Sequence, residues 1–266
     1  MQLSDFLRQD IGRGDLTTEL TVPDRQGTAG IVCQEDAVVS GLEEATEIFS
    51  LMGATAEPLV EDGGHVKAGT RVMTVRGPLR SLITAERTAL NFMMHMSGVS
   101  TLTAKAVELT EGRVVIAATR KTTPGFGDFQ KKAVILGGGD PHRQALDSMI
   151  MVKDNHIKAC GSVAKAMRLV SRASFSVKVE VEVTNVGDAV TAAEMGADII
   201  MADNMGPEET GEVRDRVKAV NGRILVEASG NLDLGKIGLY KDKADIISMG
   251  CLPHSAPSVQ FSMNID

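Results

Sequence analysis

The segment VKVEVEVT, residues 177–184, sets valines and polar side chains in strict alternation. A period of two is typical of a β-strand, whose successive side chains point to opposite faces. Strands of a buried parallel sheet usually read as continuous apolar runs, because both of their faces are covered. Glu180 and Glu182 would therefore be costly to bury unless they face a wet or ligand-filled space. The segment predicts a strand that lines a site, and a solvent-exposed edge strand is the alternative.

Five more short, β-branched runs surround this segment from residue 114 onward, with helical stretches between them. Their spacing is that of βαβ units, in which crossover helices join parallel strands. Six such strands predict an incomplete βα-barrel, with fewer strands than the usual eight. A doubly wound open sheet is the alternative, but no GxGxxG motif follows the first strand. The predicted strands cover residues 114–119, 149–153, 177–183, 198–203, 223–228 and 245–249, and the clearest helices residues 162–170, 186–194 and 207–220.

Residues 1–110 show a different pattern of short strands separated by Gly and Pro, with one helix near residues 42–52. This pattern predicts an α+β open-faced sandwich. A long helix from Ala85, capped by Thr84 and broken near Ser97-Gly98, is expected to link the two halves. We therefore predict an N-terminal domain at 1–110, joined by residues 254–266, and an α/β-barrel catalytic domain at 111–253. The predicted N-terminal strands cover residues 27–34, 37–40, 57–60 and 71–76.

The overall charge limits the classes of partner. The 266 residues include 28 basic and 35 acidic side chains, for a net charge of −7. Such a chain is not expected to bind nucleic acid or an anionic membrane. No apolar run approaches the length of a membrane span, and Asp5, Arg8 and Asp10 interrupt any signal peptide. Three widely spaced cysteines without a CxxC motif indicate no disulfide framework. We expect a cytoplasmic protein.

Most of the predicted barrel strands end in residues suited to catalysis or to phosphate binding. In βα-barrels the active site lies at the carboxyl ends of the strands, so these residues should converge. The strand ends are Thr119-Arg120-Lys121, Lys153-Asp154-Asn155-His156, Glu180 with Glu182, Asp203-Asn204, Glu227-Ala228-Ser229-Gly230 and Ser248-Met249-Gly250.

Positive charge is concentrated between residues 120 and 158. Seven basic and four acidic residues give this segment a charge of +3, which leaves −10 for the rest of the chain. Arg120, Arg143 and Lys153 are candidates to hold carboxylates, since guanidinium groups can bind them in bidentate fashion. Lys131 and Lys132 are expected on a solvated face. The segment predicts a binding wall for an acidic small molecule.

Two other groups complete the predicted site. Glu182 and Asp203 are carboxylates at neighbouring strand ends, an arrangement that binds Mg²⁺ with few protein ligands and several waters. Ser229, Gly230 and Gly250 offer backbone N–H groups, a common location for a phosphate in barrels. The site would thus combine a carboxylate-binding wall, a floor for metal and sugar, and a phosphate end.

Arg87 stands apart from this site. It falls in the first turn of the predicted linking helix, where the helix dipole disfavours a cation by a few tenths of a kcal/mol. This position suggests a role beyond helix stability, and a salt bridge is the alternative.

These motifs, in this order, resemble the quinolinate phosphoribosyltransferase family, the carboxylating nicotinate-nucleotide pyrophosphorylases. The resemblance covers essentially the whole chain, and the TRKTTPG and KDNH motifs together are highly specific. The matching segments are Asp10–Thr17, Thr84–Arg87 with Leu90-Asn91 and Ser97-Gly98, Thr119–Gly125, Gly137–Gly139 with His142-Arg143, Lys153–His156, Val179–Val183, Asp203-Asn204, Glu227–Gly230 and His254-Ser255.

The resemblance implies a reaction, a cofactor and an assembly. The family joins quinolinate to phosphoribosyl pyrophosphate with loss of CO₂, which gives nicotinate mononucleotide for NAD biosynthesis. The implied cofactor is Mg²⁺, and the implied assembly is a homodimer, or a dimer-based oligomer, with shared active sites.

The resemblance also assigns roles to residues. Arg87 would reach the site of a partner subunit. Glu182 and Asp203 would serve the ribose and Mg²⁺, and they would act in catalysis together with Lys121 and Lys153. The quinolinate contacts would be Arg120, Lys121, His142, Arg143 and Lys153, and the 5′-phosphate contacts Ser229, Gly230 and Gly250.

Three positions depart from the family pattern. Gly127 stands where the family usually has Arg, Asn231 replaces a Gly, and Pro253 replaces a Thr. These departures leave two alternatives open. One is a same-fold relative linked to molybdate transport with a different acceptor, and the other is a non-catalytic protein that binds a phosphorylated metabolite.

Overall fold

The computed structural model describes residues 2–266, which form ten α-helices and twelve β-strands. The elements of the amino-terminal part are α1 (Leu3–Ile11), α2 (Leu16–Thr21), β1 (Gln26–Cys33), β2 (Ala37–Val38), α3 (Leu42–Leu51), β3 (Thr55–Pro58), β4 (His65–Val66), β5 (Arg71–Pro78) and α4 (Leu79–Leu109). The remaining elements are β6 (Val115–Ala117), α5 (Gly127–Leu136), β7 (Ile150–Val152), α6 (Asp154–Cys160), α7 (Val163–Val170), β8 (Val179–Val183), α8 (Val186–Glu194), β9 (Ile199–Asp203), α9 (Pro207–Val220), β10 (Leu225–Ser229), β11 (Ile246–Ser248), α10 (Cys251–Ser255) and β12 (Phe261–Ile265).

The chain divides into two compact units. The first unit comprises the residues up to Ala104, Thr122–Gly138 and Ser255–Asp266, and the second Lys105–Lys121 and Gly139–His254. Residues 122–138 belong to the first unit, and α5 within this segment buries Gln130, Lys131, Ala133 and Val134. Lys131 is only 2 % exposed, so the expectation of a solvated face for this residue was wrong. The domain boundaries that we place at residues 110 and 253 stay a prediction.

The second unit contains one parallel sheet with the strand order β6-β11-β10-β9-β8-β7. The order follows the chain from β7 to β11 and then returns to β6, as in a barrel and unlike a doubly wound sheet. β6 and β7 do not pair, and beside β6 lies only an isolated bridge between Ala117 and Asp140. The predicted six-strand incomplete βα-barrel is confirmed.

The barrel helices form where the sequence predicts them. Ser162 and Asn185 cap α7 and α8, because each side chain accepts a hydrogen bond from a backbone N–H in the first turn. Each helix buries small or branched apolar residues against the sheet, whose own interior includes Val181, Ile200 and Val226, all 0 % exposed. This burial holds the strand ends, and the side chains on them, in fixed positions.

The first unit is built on a small antiparallel sheet with the order β12-β1-β5-β3, beside a two-stranded ladder of β2 and β4. α3 buries Ala45, Ile48 and Phe49, and β5 buries Val72, Met73 and Val75. The predicted small α+β domain is thus confirmed. β12 comes from the carboxyl-terminal segment and pairs with β1, which brings that segment into the first unit.

The helix α4 differs from its prediction. It begins at Leu79 rather than Ala85, and Thr84 is not its cap, since the Thr84 hydroxyl donates to Asp15. Gly98 does not break the helix. A Cβ at this position would lie 2.2 Å from the carbonyl oxygen of Pro257, so glycine permits a close backbone approach inside the first unit. With the earlier start, Arg87 lies beyond the first turn, and the helix-dipole argument for its role was wrong.

Among residues 2–266, no helix is both long and apolar enough to span a membrane.

Candidate active site

A cavity of about 320 Å³ opens at the carboxyl ends of the barrel strands, wholly within the second unit. Each of the six strands, or the segment that directly follows it, contributes a side chain. The lining residues are Ala118, Thr119, Arg120, Lys121, His142, Arg143, Met151, Lys153, Glu182, Met201, Asp203, Glu227, Ser229 and Ser248. The cavity therefore lies where barrel topology predicts an active site.

The cavity brings together most of the residues that the sequence singles out. Gly230 and Gly250 flank it, and a Cβ at Gly250 would lie 3.0 Å from the Lys121 side chain. Arg87 is exposed on α4 in the first unit and is not among the lining residues. The predicted residues that do line the cavity are Arg120, Lys121, His142, Arg143, Lys153, Glu182, Asp203 and Ser229. Their roles stay predictions.

One side of the cavity is strongly cationic. Arg120 and Lys121 follow β6, Lys153 follows β7, and Arg143 lies in the segment between those strands. Burial, and then the nearby charge of Arg120, lower the pKa of Arg143. A guanidinium group whose charge is disfavoured by burial and by a second guanidinium is stabilised by a bound anion.

The KDNH motif positions one of these cations. Lys153 lies just before α6, and its backbone N–H donates to Nδ1 of His156 at 2.9 Å. This local bond fixes the start of the helix while the Lys153 ammonium reaches the cavity and bonds Glu182. The motif therefore both fixes the local backbone and places a charged group in the cavity.

Two carboxylates line the same cavity as the cations. Glu182 on β8 is almost fully buried, and Asp203 ends β9. Burial, and then the charge of Glu182, raise the pKa of Asp203, whereas a 2.7 Å bond from the amide of Asn204 lowers it. Because the two carboxylates repel, a cation that met both would be stabilised, and their all-oxygen chemistry suits Mg²⁺.

A turn of unusual backbone geometry follows β10. Gly230 has φ +100°, and a Cβ there would lie 2.4 Å from Oδ1 of Asn204, so only glycine fits. Asn231 also has a positive φ, 50°, and its amide donates to Asn204. Asn adopts this conformation more readily than most residues. The departure at Asn231 therefore keeps the turn that a glycine would make.

The other two departures lie away from the cavity lining. Gly127 begins α5 in the first unit, where a Cβ would lie 3.1 Å from the Thr122 hydroxyl. Pro253 is buried in α10.

A buried group at the base of the cavity joins His142, a predicted quinolinate contact, to two strand-end glutamates that the sequence analysis gave no specific role. Glu180 on β8 and Glu227 on β10 are both 0 % exposed, and Nε2 of His142 lies 3.5 Å and 3.1 Å from their carboxylates. Burial, and then Glu227, raise the pKa of Glu180 to about 8. The sequence signal that could have pointed to this group is the presence of two glutamates inside apolar strands. Their convergence on His142 could not be read from the sequence, because it depends on the fold.

Comparison with known proteins identifies the family. Two sequence profiles match, one described as the quinolinate phosphoribosyl transferase N-terminal domain over residues 15–97 and the other as the C-terminal domain over residues 99–264. The chain belongs to the quinolinate phosphoribosyl transferase family. The resemblance that the motifs suggest is thereby confirmed.

Individual relatives support the same family assignment. A probable nicotinate-nucleotide pyrophosphorylase (carboxylating) of Archaeoglobus fulgidus is 41% identical over 258 residues, which cover 95% of this chain and 98% of the relative. The human nicotinate-nucleotide pyrophosphorylase (carboxylating) is 37% identical over 242 residues, 89% of this chain and 82% of the relative.

Solved structures give the same result. NadC from Streptococcus pyogenes matches with a TM-score of 0.94 at 38% identity, covering 99% of this chain and 95% of that one. The nicotinate-nucleotide pyrophosphorylase from Francisella tularensis matches with a TM-score of 0.93 at 34% identity, covering 99% and 94%. These relatives give no support to the molybdate-linked alternative or to a non-catalytic binding protein.

Proposed function

We propose that this chain transfers the phosphoribosyl group of phosphoribosyl pyrophosphate to quinolinate, with loss of CO₂. The products are nicotinate mononucleotide, pyrophosphate and CO₂, as the names of its relatives indicate. The observation that carries the proposal is the cavity itself, where Arg120, Lys121, Arg143 and Lys153 face Glu182 and Asp203. A dicarboxylate acceptor and a sugar that develops positive charge need cationic and anionic groups in one site.

The cationic wall would bind and orient quinolinate. Arg120 and Arg143 present planar guanidinium groups suited to carboxylates, while Lys121 and Lys153 add point charges. Holding the acceptor in one orientation directs its ring nitrogen at C1 of the ribose and lowers the entropic part of the barrier. The ring nitrogen forms the new bond as the bond from C1 to pyrophosphate breaks. The carboxyl group next to the nitrogen later leaves as CO₂, and a proton takes its place.

Glu182 and Asp203 would serve the donor. A carboxylate near the ribose stabilises positive charge that develops on the sugar in the transition state. Both residues fit Mg²⁺, since burial, and then the charge of Glu182, raise the pKa of Asp203, and a bound cation would stabilise its ionised form. A bound Mg²⁺ would neutralise charge on the departing pyrophosphate. Ser229, Gly230 and Gly250 would hold the 5′-phosphate, supported by the tight turn at Gly230.

The working form would be a homodimer with shared sites. The sheet is open between β6 and β7, which leaves a side of the barrel for another chain to cover. Arg87 is exposed and forms no ion pair within 4.0 Å among residues 2–266, so the salt-bridge explanation of this residue loses support. A partner's Arg87 would then complete the cationic wall of each site.

We also propose a cytoplasmic location. Cys33, Cys160 and Cys251 are all free thiols, as expected in a reducing compartment.

The proposal is tested by acceptor specificity. The purified protein is mixed with phosphoribosyl pyrophosphate and Mg²⁺, and pyrophosphate release is followed with quinolinate, nicotinate, nicotinamide or no acceptor. We expect release with quinolinate only, because a single carboxylate would neutralise less of the positive charge that Arg120, Lys121, Arg143 and Lys153 bring to the cavity. Equal turnover of nicotinate would contradict the proposal, and quinolinate binding without turnover would support a non-catalytic binding protein.

A further inference from the structure

Asn204 lies where two barrel strands end. It follows β9, and its backbone N–H donates to the carbonyl oxygen of Ser229, at the end of β10, at 2.9 Å. Asn204 has a positive φ of 54°, and its Oδ1 lies so close to the turn after β10 that a Cβ at Gly230 would be 2.4 Å away. Asp203 and Ser229 line the cavity, whereas Asn204 is not among the described residues that line it. Asn204 therefore joins the two strand ends from outside the cavity.

The hydrogen bonds of the Asn204 side chain run in one direction. An ionised carboxylate can only accept, so the group that bonds Oδ2 of Asp203 at 2.7 Å must be the Nδ2 amide of Asn204. This orientation makes Oδ1 of Asn204 an acceptor, and Nδ2 of Asn231 donates to it at 3.2 Å. Asn231, Asn204 and Asp203 thus form a directed series of side-chain hydrogen bonds, which we call the amide bridge.

The first member of the amide bridge is one of the departures from the family pattern. Asn231 has a φ of 50°, and the Lys236 side chain donates to its carbonyl oxygen at 2.9 Å, so its backbone is held in the turn. A glycine adopts the same backbone conformation without strain but has no side-chain amide. The departure at Asn231 therefore keeps the turn and, in addition, supplies the donor that holds Asn204.

We infer that Asn204 is a positioning residue that orients the Asp203 carboxylate toward the phosphoribosyl donor, and that Asn231 holds Asn204 in place. The inference rests on the proposed function, in which Asp203 serves the ribose and Mg²⁺. The bond to Oδ2 restricts rotation of the carboxylate, so its charge is oriented before the substrate binds, and such preorganisation lowers the barrier. Because quinolinate would meet the cationic residues instead, the amide bridge affects the use of phosphoribosyl pyrophosphate and not the binding of quinolinate.

Glycine variants remove the two amides without straining the backbone. Asn204 and Asn231 both have positive φ, a conformation that glycine adopts freely. Both residues are exposed, so the loss of either side chain opens no cavity in the core. Asn204→Asp keeps the size of the side chain but places a second negative charge beside Asp203. These variants therefore separate the hydrogen bonds of the amide bridge from the shape of the turn.

The first measurement is steady-state kinetics with each substrate varied in turn. Because a hydrogen bond to a charged group is lost, Asn204→Gly should lower kcat/KM for phosphoribosyl pyrophosphate at least about 10-fold and leave the KM for quinolinate unchanged. Asn204→Asp should lower it further. Asn231→Gly should lower it about 2- to 10-fold, since a bond between neutral groups is lost. The double glycine variant should be no worse than Asn204→Gly, because Asn231 acts only through Asn204.

The matched control is Asn221→Gly, at an exposed position after α9, which should not change the kinetics. Circular dichroism verifies that each variant folds.

The second measurement needs no turnover. Nitrogen-15 relaxation reports the order parameter of the Asn204 side-chain amide, which should be near the rigid value of about 0.85 in the unaltered protein and fall below about 0.6 in Asn231→Gly. The inference is overturned by a mobile Asn204 amide in the unaltered protein, by unchanged kinetics in Asn204→Gly, by additive effects of the two glycine substitutions, or by an equal change in the KM for quinolinate. Absence of turnover in the unaltered protein would refute the proposed function instead, and the relaxation data would still decide whether the amide bridge forms.

Discussion

Two histidines, one in each compact unit, have opposite surroundings. In the first unit, Nε2 of His95 accepts a hydrogen bond from the Gln130 amide at 2.8 Å, and Gln130 also bonds the backbone and hydroxyl of Thr123. In the second unit, His142 meets Glu180 and Glu227, several of whose oxygens have no hydrogen-bond partner among residues 2–266.

This difference distinguishes polar side chains that stabilise the fold from charged side chains that are available to bind ligands. The hydrogen bonds among His95, Gln130 and Thr123 join neutral groups, an arrangement that stabilises a fold. The cavity instead gathers several charged side chains of both signs, of which Lys153 and Glu182 form an ion pair, and such a concentration of charge is typical of a site that binds charged ligands. Substitutions in the cavity should therefore change turnover more than stability, and substitutions near His95 should do the reverse.

Arg87 tests most strongly whether functional residues are confined to the cavity of the second unit, because its proposed role places a functional residue in the first unit. We expect Arg87→Ala and Lys153→Ala each to be nearly inactive. If the two variants are mixed, unfolded and refolded together, half of the dimers contain one chain of each kind. Such a dimer has one site with both defects and one with none, so roughly a quarter of the wild-type activity should return.

Activity of the refolded mixture is the measurement, and each variant refolded alone is the control. If both residues served the site of the same chain, every site would keep one defect. No recovery in a mixture shown to contain mixed dimers would therefore rule out the shared site.

Asp203→Asn should separate turnover from stability within the cavity. Losing one preorganised electrostatic group costs about 10²–10³-fold in turnover. Quinolinate affinity, measured by calorimetry, should change little, because Arg120 and Arg143 are unaltered. Since burial raises the pKa of Asp203, its charge is unfavourable in the fold, and the melting temperature should not fall. Abolished quinolinate binding with a preserved fold would contradict the separate roles of the two walls.

Arg143→Lys should weaken acceptor binding alone. A charged hydrogen bond contributes about 1.5–3 kcal/mol, so loss of one arm of the guanidinium fork should raise the quinolinate dissociation constant about 10–100-fold. Arg172→Lys, at an exposed position after α7, is the matched control. Equal quinolinate affinity in both variants would remove Arg143 from the binding wall.

The smallest effect is expected at His95, and it concerns stability alone. Burial lowers the pKa of His95, so the folded protein keeps the ring neutral while the unfolded chain gains a proton below about pH 6.5. The free energy of unfolding should then fall with decreasing pH, by at most about 1.4 kcal/mol per pH unit from this group.

His95→Gln should remove that part of the slope, as measured by urea unfolding between pH 5 and 7.5. His65→Gln, at an exposed position on β4, is the control. An unchanged slope in His95→Gln would show that His95 is not held neutral by the fold.

Local sequence signals predicted the barrel and the edge where its cavity lies. α8 and α9 have the predicted bounds, because their caps and apolar spacing are encoded within each segment. The residues at the strand ends converge because parallel strands share a carboxyl edge.

What could not be predicted depends on contacts between distant segments. β12 is a short run that becomes a strand by pairing with β1, more than two hundred residues earlier. The start of α4 at Leu79 reflects burial along a helix of 31 residues, which outweighs the local signals at Thr84 and Gly98. His142 meets Glu180 and Glu227 only after the barrel has formed.

The most direct test of the proposed reaction is its stoichiometry. Quinolinate labelled in the carboxyl group next to the ring nitrogen is incubated with phosphoribosyl pyrophosphate, Mg²⁺ and the protein, and all products are quantified over time. We expect nicotinate mononucleotide, pyrophosphate and labelled CO₂ to appear in equal amounts, and none of them without the protein. Pyrophosphate release without labelled CO₂, or a mononucleotide that retains both carboxyl groups, would contradict the assignment.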